Sequence, residues 1–172
     1  MKKDNWIIKA FLMTFFIALI FSTISNIVVD NCNEKVLILV SILFIFIGIF
    51  FDIIGTAVLT ANESSFHAKC SKKIKGSKQG VYLIKNSSTI ASICNDVIGD
   101  ICGIVSGSLG AMISIYLSSI TNINVIYVSL FISSLISSLT VGGKAIGKRY
   151  ATKNSDQIIF IVAKILYIFK KK

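Results

Sequence analysis

The chain has 172 residues, carries a formal net charge of +10, and is 54% hydrophobic with a mean hydropathy of +0.80. That is far more apolar than a soluble domain, and a chain this short cannot hide so much apolar surface in a core of its own. The composition excludes a soluble domain and reads as an integral membrane protein.

Four apolar stretches run from about Trp6 to Val29, Val36 to Thr60, Ser88 to Leu117 and Ile123 to Val141. Each is near or above the roughly 20 residues that carry a helix across a bilayer core. They predict an all-α protein with four transmembrane helices. Lys2 and Lys3 precede the first stretch as they would a signal peptide. That run is too long for a signal segment, and it ends at Asn26-Ile27-Val28-Val29-Asp30 without a small-x-small cleavage site. Residues 1–35 therefore read as a retained span with its outer loop.

The loops alternate in charge. Lys2, Lys3 and Lys9 flank the first span, and Asp30 to Lys35 is slightly acidic. Lys69, Lys72, Lys73, Lys75, Lys78 and Lys85 fill the next loop, and Ser118 to Asn122 carries no charge. Lys144, Lys148, Arg149, Lys153, Lys164 and Lys170 to Lys172 follow the fourth span. Basic residues mark cytoplasmic loops, so both termini and the middle loop are expected on the cytoplasmic side of the cell membrane. The same lysines attract anionic lipid. Nucleic acid is not expected as a partner, because the lysines lack interleaved stacking aromatics.

Of the four cysteines, Cys32 is expected outside, Cys70 inside, and Cys94 and Cys102 within the third span. That distribution leaves no outer pair, and the spacings match no zinc pattern, so they read as small thiols. Proline is absent, and none of the spans can owe a kink to it. Gly99, Gly103 and Gly107 fall four apart on one helix face, a spacing that admits another helix closely, either within the chain or in a dimer.

Residues 62–86 place Phe66, Cys70 and Ile74 at helical spacing among lysines. Val81, Leu83 and Ile84 then follow the Gly76-Ser77 turn. Two short helices in a basic juxtamembrane hairpin fit this pattern. His67 stands alone and reads as a surface residue, since a metal site needs several ligands. Residues 157–172 predict a basic interfacial helix. Its apolar part, Gln157 to Phe169, is about 13 residues long and too short to cross.

Ionisable groups inside a span are expensive and point to function. Asp52 lies about 12 Å above the inner end of the second span, and Asn95 and Asp96 about 11 Å up the third, at 1.5 Å per residue. Asp100 follows one turn beyond Asp96, and Lys144 falls near the inner end of the fourth span. Such a layer suits a hard cation such as Mg²⁺, which prefers oxygen ligands. A structural alternative is that Lys144 pairs with Asp52 or Asp96 and is neutralised there. No Ser/His/Asp set, phosphate loop or metal-ligand helix points to an enzyme, and no resident cofactor is expected.

Three segments, in order, carry a family resemblance. Phe50-Phe51-Asp52-Ile53-Ile54-Gly55-Thr56-Ala57-Val58 is similar to an F-F-S-x-x-E-x-A-L motif. The stretch from Lys75-Gly76-Ser77-Lys78 through Ile93-Cys94-Asn95-Asp96 resembles a basic hairpin leading into T-I-L-I-G-N-N. Gly143-Lys144-Ala145-Ile146-Gly147-Lys148 falls where G-E-I-x-P-K would stand. Together these resemble the transmembrane domain of the CNNM/CorB/CorC magnesium transporters, with residues 36–156 as the corresponding domain.

The resemblance implies a dimer, three core helices per subunit, a juxtamembrane hairpin and a cytoplasmic C-terminus. It also implies a dehydrated Mg²⁺ near the motif residues and transport coupled to sodium. Asn95, Gly143 and Lys148 match the motif asparagine, glycine and lysine. Asp52 replaces a serine, Gly55 a glutamate, Cys94 a glycine, Lys144 the second glutamate and Gly147 a proline. The regulatory CBS pair has no counterpart in this sequence, and the first span is added.

Two functions follow as expectations. One is divalent-cation transport through Asp52, Asn95, Asp96 and Asp100, with Mg²⁺ as the transported ion. The other is a non-transporting relative, closed by Lys144 as a tethered cation, that serves as a membrane scaffold or as partner to a CBS-bearing or other membrane chain. A holin-like pore former fits the small size and basic tail but leaves carboxylates at matched depth unexplained.

Overall fold

The computed structural model describes residues 2–31 and 33–170, with side-chain surroundings for 8–30 and 33–169. Met1, Cys32, Lys171 and Lys172 lie outside the described residues, and so does the expectation of Cys32 as the outer cysteine.

With no proline to interrupt a backbone ladder, the chain forms long helices. They are α1 (Lys2–Asn31), α2 (Glu34–Thr60), α3 (Glu63–Ser71), α4 (Ser77–Lys85) and α5 (Ser87–Ser92). A π-helical segment, Ile93–Gly99, leads into α6 (Asp100–Thr121), and α7 (Val125–Lys153) and α8 (Ser155–Lys170) complete the chain. No strand occurs among the described residues. Four helical runs are long and apolar enough to cross a membrane: Ile8–Asp30, Glu34–Thr60, Ser87–Thr121 and Val125–Lys153. The class is therefore an all-helical protein compatible with a multi-pass membrane protein. The last of these runs continues well past its apolar part, carrying Lys144 and Lys148 on one unbroken helix.

The chain divides into two compact units, Met1–Ile49 with Val97–Lys144 and Phe50–Asp96 with Ala145–Lys172. In the first, α1 packs along α6. Leu37 and Phe44 of α2 meet Val97, Ile101, Val105 and Leu109 in its core. Small residues set the helix spacing here. Ser41 Oγ donates to the Ser106 carbonyl at 3.4 Å, and a Cβ added at Gly48 would stand 3.2 Å from Cys102 Cβ.

The second unit has its own core of Ala57, Val58, Phe66, Leu83, Ala151, Ile159 and Ala163. Alanines from α2, α7 and α8 are fully buried in it. The turn between α2 and α3 is held by polar bonds. Asn62 accepts from the Ser64 amide and so caps α3, as asparagine does well. Its own amide donates to Asp156 Oδ1 at 2.9 Å, and Ser155 Oγ donates to the Thr60 carbonyl at 3.3 Å. The two short helices α3 and α4 form as expected but are joined by residues 72–76: Ser77, expected in the turn, opens α4, and Ile74, expected at the helical spacing of Phe66 and Cys70, lies in the connection. Gly76 adopts φ +90°, and a Cβ there would press on the Lys164 backbone of α8. Only glycine takes that conformation without strain.

Candidate functional site

The second unit gathers the most unusual polar groups. Asp52 projects from α2 and is 2% exposed. Its Oδ2 receives no hydrogen bond. The nearest cation is Lys148 Nζ of α7 at 3.6 Å, a separation that gives charge attraction without a hydrogen bond. The Lys148 side chain is 52% exposed. Burial of a carboxylate with so little compensation is costly, since the water it loses is not replaced by donors.

One turn beyond Asp52 on α2, buried Gly55 makes room for Asn95, whose carboxamide would collide with a Cβ at position 55. The Asn95 Oδ1 is likewise buried and without a hydrogen-bond partner. Two acceptor oxygens, one of them charged, are thus left unsatisfied within one unit. Asn95 arrives on the π-helical segment. Such widened turns occur often at functional sites. Asp96, next along this segment, is exposed.

The first unit holds a separate pair. Lys144 Nζ donates to Asp100 Oδ1 at 3.3 Å, with the two side chains 19% and 66% exposed. Lys144 is therefore held by Asp100, where Asp52 or Asp96 was expected, and Asp52 has Lys148 instead. Lys144 and Lys148 lie four apart along α7. Gly143, the matched motif glycine, packs against Ile49. A Cβ on Gly103 or Gly107 would meet nothing within 4 Å among the described residues. Gly99, the first of the three, is buried, and its carbonyl would stand 3.4 Å from a Cβ at Gly48 of α2, so among the described residues the glycine face meets a helix of this chain at Gly99 and is open at Gly103 and Gly107.

Further along α6, a Cβ on Gly110 would collide with Ile136 of α7, and a series of close approaches falls on α2. Ser41, Gly48 and Gly55, seven apart, meet Ser106, Cys102 and Asn95 respectively. A period of two helical turns was readable in the sequence, but serine and intervening apolar residues masked it. Lys148 as the partner of Asp52 had no comparable signal.

Among the described residues no three His, Cys, Asp or Glu side chains converge as metal ligands. A cation at Asp52 and Asn95 would draw on one carboxylate, one amide oxygen and water. Mg²⁺ tolerates such a set, because it dehydrates reluctantly and usually keeps several waters.

Comparison with known proteins adds no relative: no protein-family model, no curated protein and no solved structure matches the chain.

Proposed function

We propose that this chain is a multi-pass protein of the cell membrane that binds and conducts a divalent cation, Mg²⁺ foremost, in the manner of the CNNM/CorB/CorC transmembrane domain it resembles. One observation carries the reading. Asp52 Oδ2 and Asn95 Oδ1 are buried acceptors with no donor. A site that stabilises only the folded protein would fill such oxygens with hydrogen bonds. A site that receives a cation leaves them open. Asp52 supplies the charge and Asn95 a neutral oxygen. Lys148, half in solvent on a flexible stem, is the ammonium that an arriving cation displaces.

A homodimer completes the proposal. Asp100 is largely exposed on α6, and Gly103 and Gly107 continue its face with nothing within 4 Å of an added Cβ among the described residues. A carboxylate turned toward lipid is expensive, and a second copy would cover it while using the glycines for close approach.

The test is Mg²⁺ titration of the purified full chain, read as thermal stability, together with Mg²⁺ flux into liposomes. Millimolar Mg²⁺ should raise the melting temperature by mass action, and Asp52→Asn should abolish both that rise and the flux. A second reading is favoured by the pairing of Asp52 with Lys148 and of Asp100 with Lys144. There the lysines act as permanent tethered cations and the chain is a non-transporting scaffold or partner subunit. It requires no Mg²⁺ response at all, and a basal loss of stability in Asp52→Asn.

A further inference from the structure

The second unit holds 13 of the 18 basic residues and four of the eight acidic ones. Three of its acids are engaged. Asp52 faces Lys148, Glu63 pairs with His67 at 3.1 Å, and Asp156 accepts from the Asn62 amide. Lys73, Lys75 and Lys78 have no carboxylate within 4 Å among the described residues.

These lysines line a trough between α4 and α8. At the turn from α3 to α4, a hollow of ≈ 360 Å³ is lined by Lys73, Lys75, Lys78 and Tyr167. Lys75 and Tyr167 continue into a second hollow of ≈ 370 Å³ with Lys164 and Ile168. Lys78 and Gln79 continue into a third of ≈ 480 Å³, walled by Tyr82, Leu166 and Phe169. The shared residues make the hollows adjoin. One end is ringed by ammonium groups and the other by aromatic and aliphatic side chains.

We propose that this trough binds an anionic phospholipid. The headgroup phosphate lies among Lys73, Lys75 and Lys78, and an acyl chain lies along Tyr82, Leu166 and Phe169. Charge complementarity selects the head. Three clustered ammonium groups without counter-charges repel one another, and a phosphodiester relieves that repulsion. The start of α4 adds to the field, since Gly76 provides no side-chain cap for the first-turn amides and the positive end of the helix dipole favours an anion. The apolar end selects a chain-bearing ligand over a soluble phosphate. Ile161, Ile165 and Ile168 lie exposed on α8 at helical spacing, as on a helix lying in the bilayer interface where such a lipid is supplied. Basic pockets of this kind on the cytoplasmic side of membrane proteins hold anionic headgroups. The proposal does not rest on the cation site.

The experiment uses the full chain in a mild detergent. Binding of phosphatidylglycerol, phosphatidylcholine, glycerol phosphate and inorganic phosphate is measured by native mass spectrometry and thermal shift. Phosphatidylglycerol should bind and stabilise, and the other three should not. The double substitution Lys75→Gln with Lys78→Gln should weaken phosphatidylglycerol on the order of tenfold or more. Lys72→Gln with Lys85→Gln, an equal charge change at residues that do not line the trough, should change it less than twofold. Equal losses in the two pairs would mean diffuse attraction and overturn the site. Full binding of glycerol phosphate would overturn the lipid in favour of a soluble phosphate. Should the first pair fail to fold, a photoactivatable phosphatidylglycerol added to unaltered protein decides. Crosslinks must fall on 73–82 and 164–169, and crosslinks elsewhere refute the trough.

Discussion

Asp52 faces two demands that pull apart. Its burial calls for hydrogen-bond donors, yet the Lys148 ammonium stands at 3.6 Å and its Oδ2 accepts none. Half-exposed Lys148 is partly screened by solvent, so the pair contributes toward the low range of ion pairs, about 1 kcal/mol or less. Lys148→Met should therefore lower basal stability only slightly while tightening Mg²⁺, because the competitor for Asp52 is gone. A melting curve with and without Mg²⁺ reads both effects. A large basal loss with no Mg²⁺ effect would support the tethered-cation reading. Gly55→Ala tests the neighbouring oxygen, since its methyl would displace Asn95. Overpacking of this sort costs about 1–3 kcal/mol, and the Mg²⁺ response should fall with it. An unchanged response would remove Asn95 from the site.

At the scale of helices, Gly103 of α6 and Gly48 of α2 should behave oppositely. Gly103→Leu enters open space, so the protomer should keep its melting temperature while the proposed dimer dissociates, as read by light scattering in detergent. Gly48→Leu enters a spacing already filled by Cys102 at 3.2 Å, so the protomer itself should lose stability. Loss of protomer stability in Gly103→Leu would place a helix of the same chain on that face. The helices themselves were largely legible in the sequence, because span length and apolarity are additive along the chain and need no knowledge of neighbours. The hairpin was legible through Gly76, left-handed just before α4, whereas Lys73, left-handed at φ +53° in the same connection, gave no signal by residue type. The partner of Lys144 was not, because it depends on side-chain reach and on how α6 and α7 are rotated. The π-helical segment was also hidden, as it is a change of hydrogen-bond register with no residue type of its own. Asp52 and Asn95 were legible as polar residues in apolar runs. Their lack of donors was not, since that is a property of everything packed around them.

For the whole molecule, sidedness is the property most open to direct test. Cys70 on α3 is part-exposed, whereas Cys94 and Cys102 are buried. A membrane-permeant maleimide should label Cys70 readily in cells and the two buried thiols slowly, while an impermeant one should leave Cys70 untouched until the cells are opened. Labelling of Cys70 from outside intact cells would reverse the proposed orientation. The uneven distribution of lysines has an electrical consequence as well. Phe50–Asp96 with Ala145–Lys172 carries 13 basic and four acidic residues, an excess of nine positive charges. Moving one elementary charge through 100 mV takes about 2.3 kcal/mol. Translocating this excess outward against an inside-negative potential of about 100 mV would thus require work on the order of 20 kcal/mol. With these charges on the cytoplasmic side, as their distribution leads one to expect, the resting voltage of the cell would act on this protein as a latch. Neutralising any one lysine would remove only about a ninth of that work, so orientation should persist until many are replaced together or the potential is collapsed during insertion.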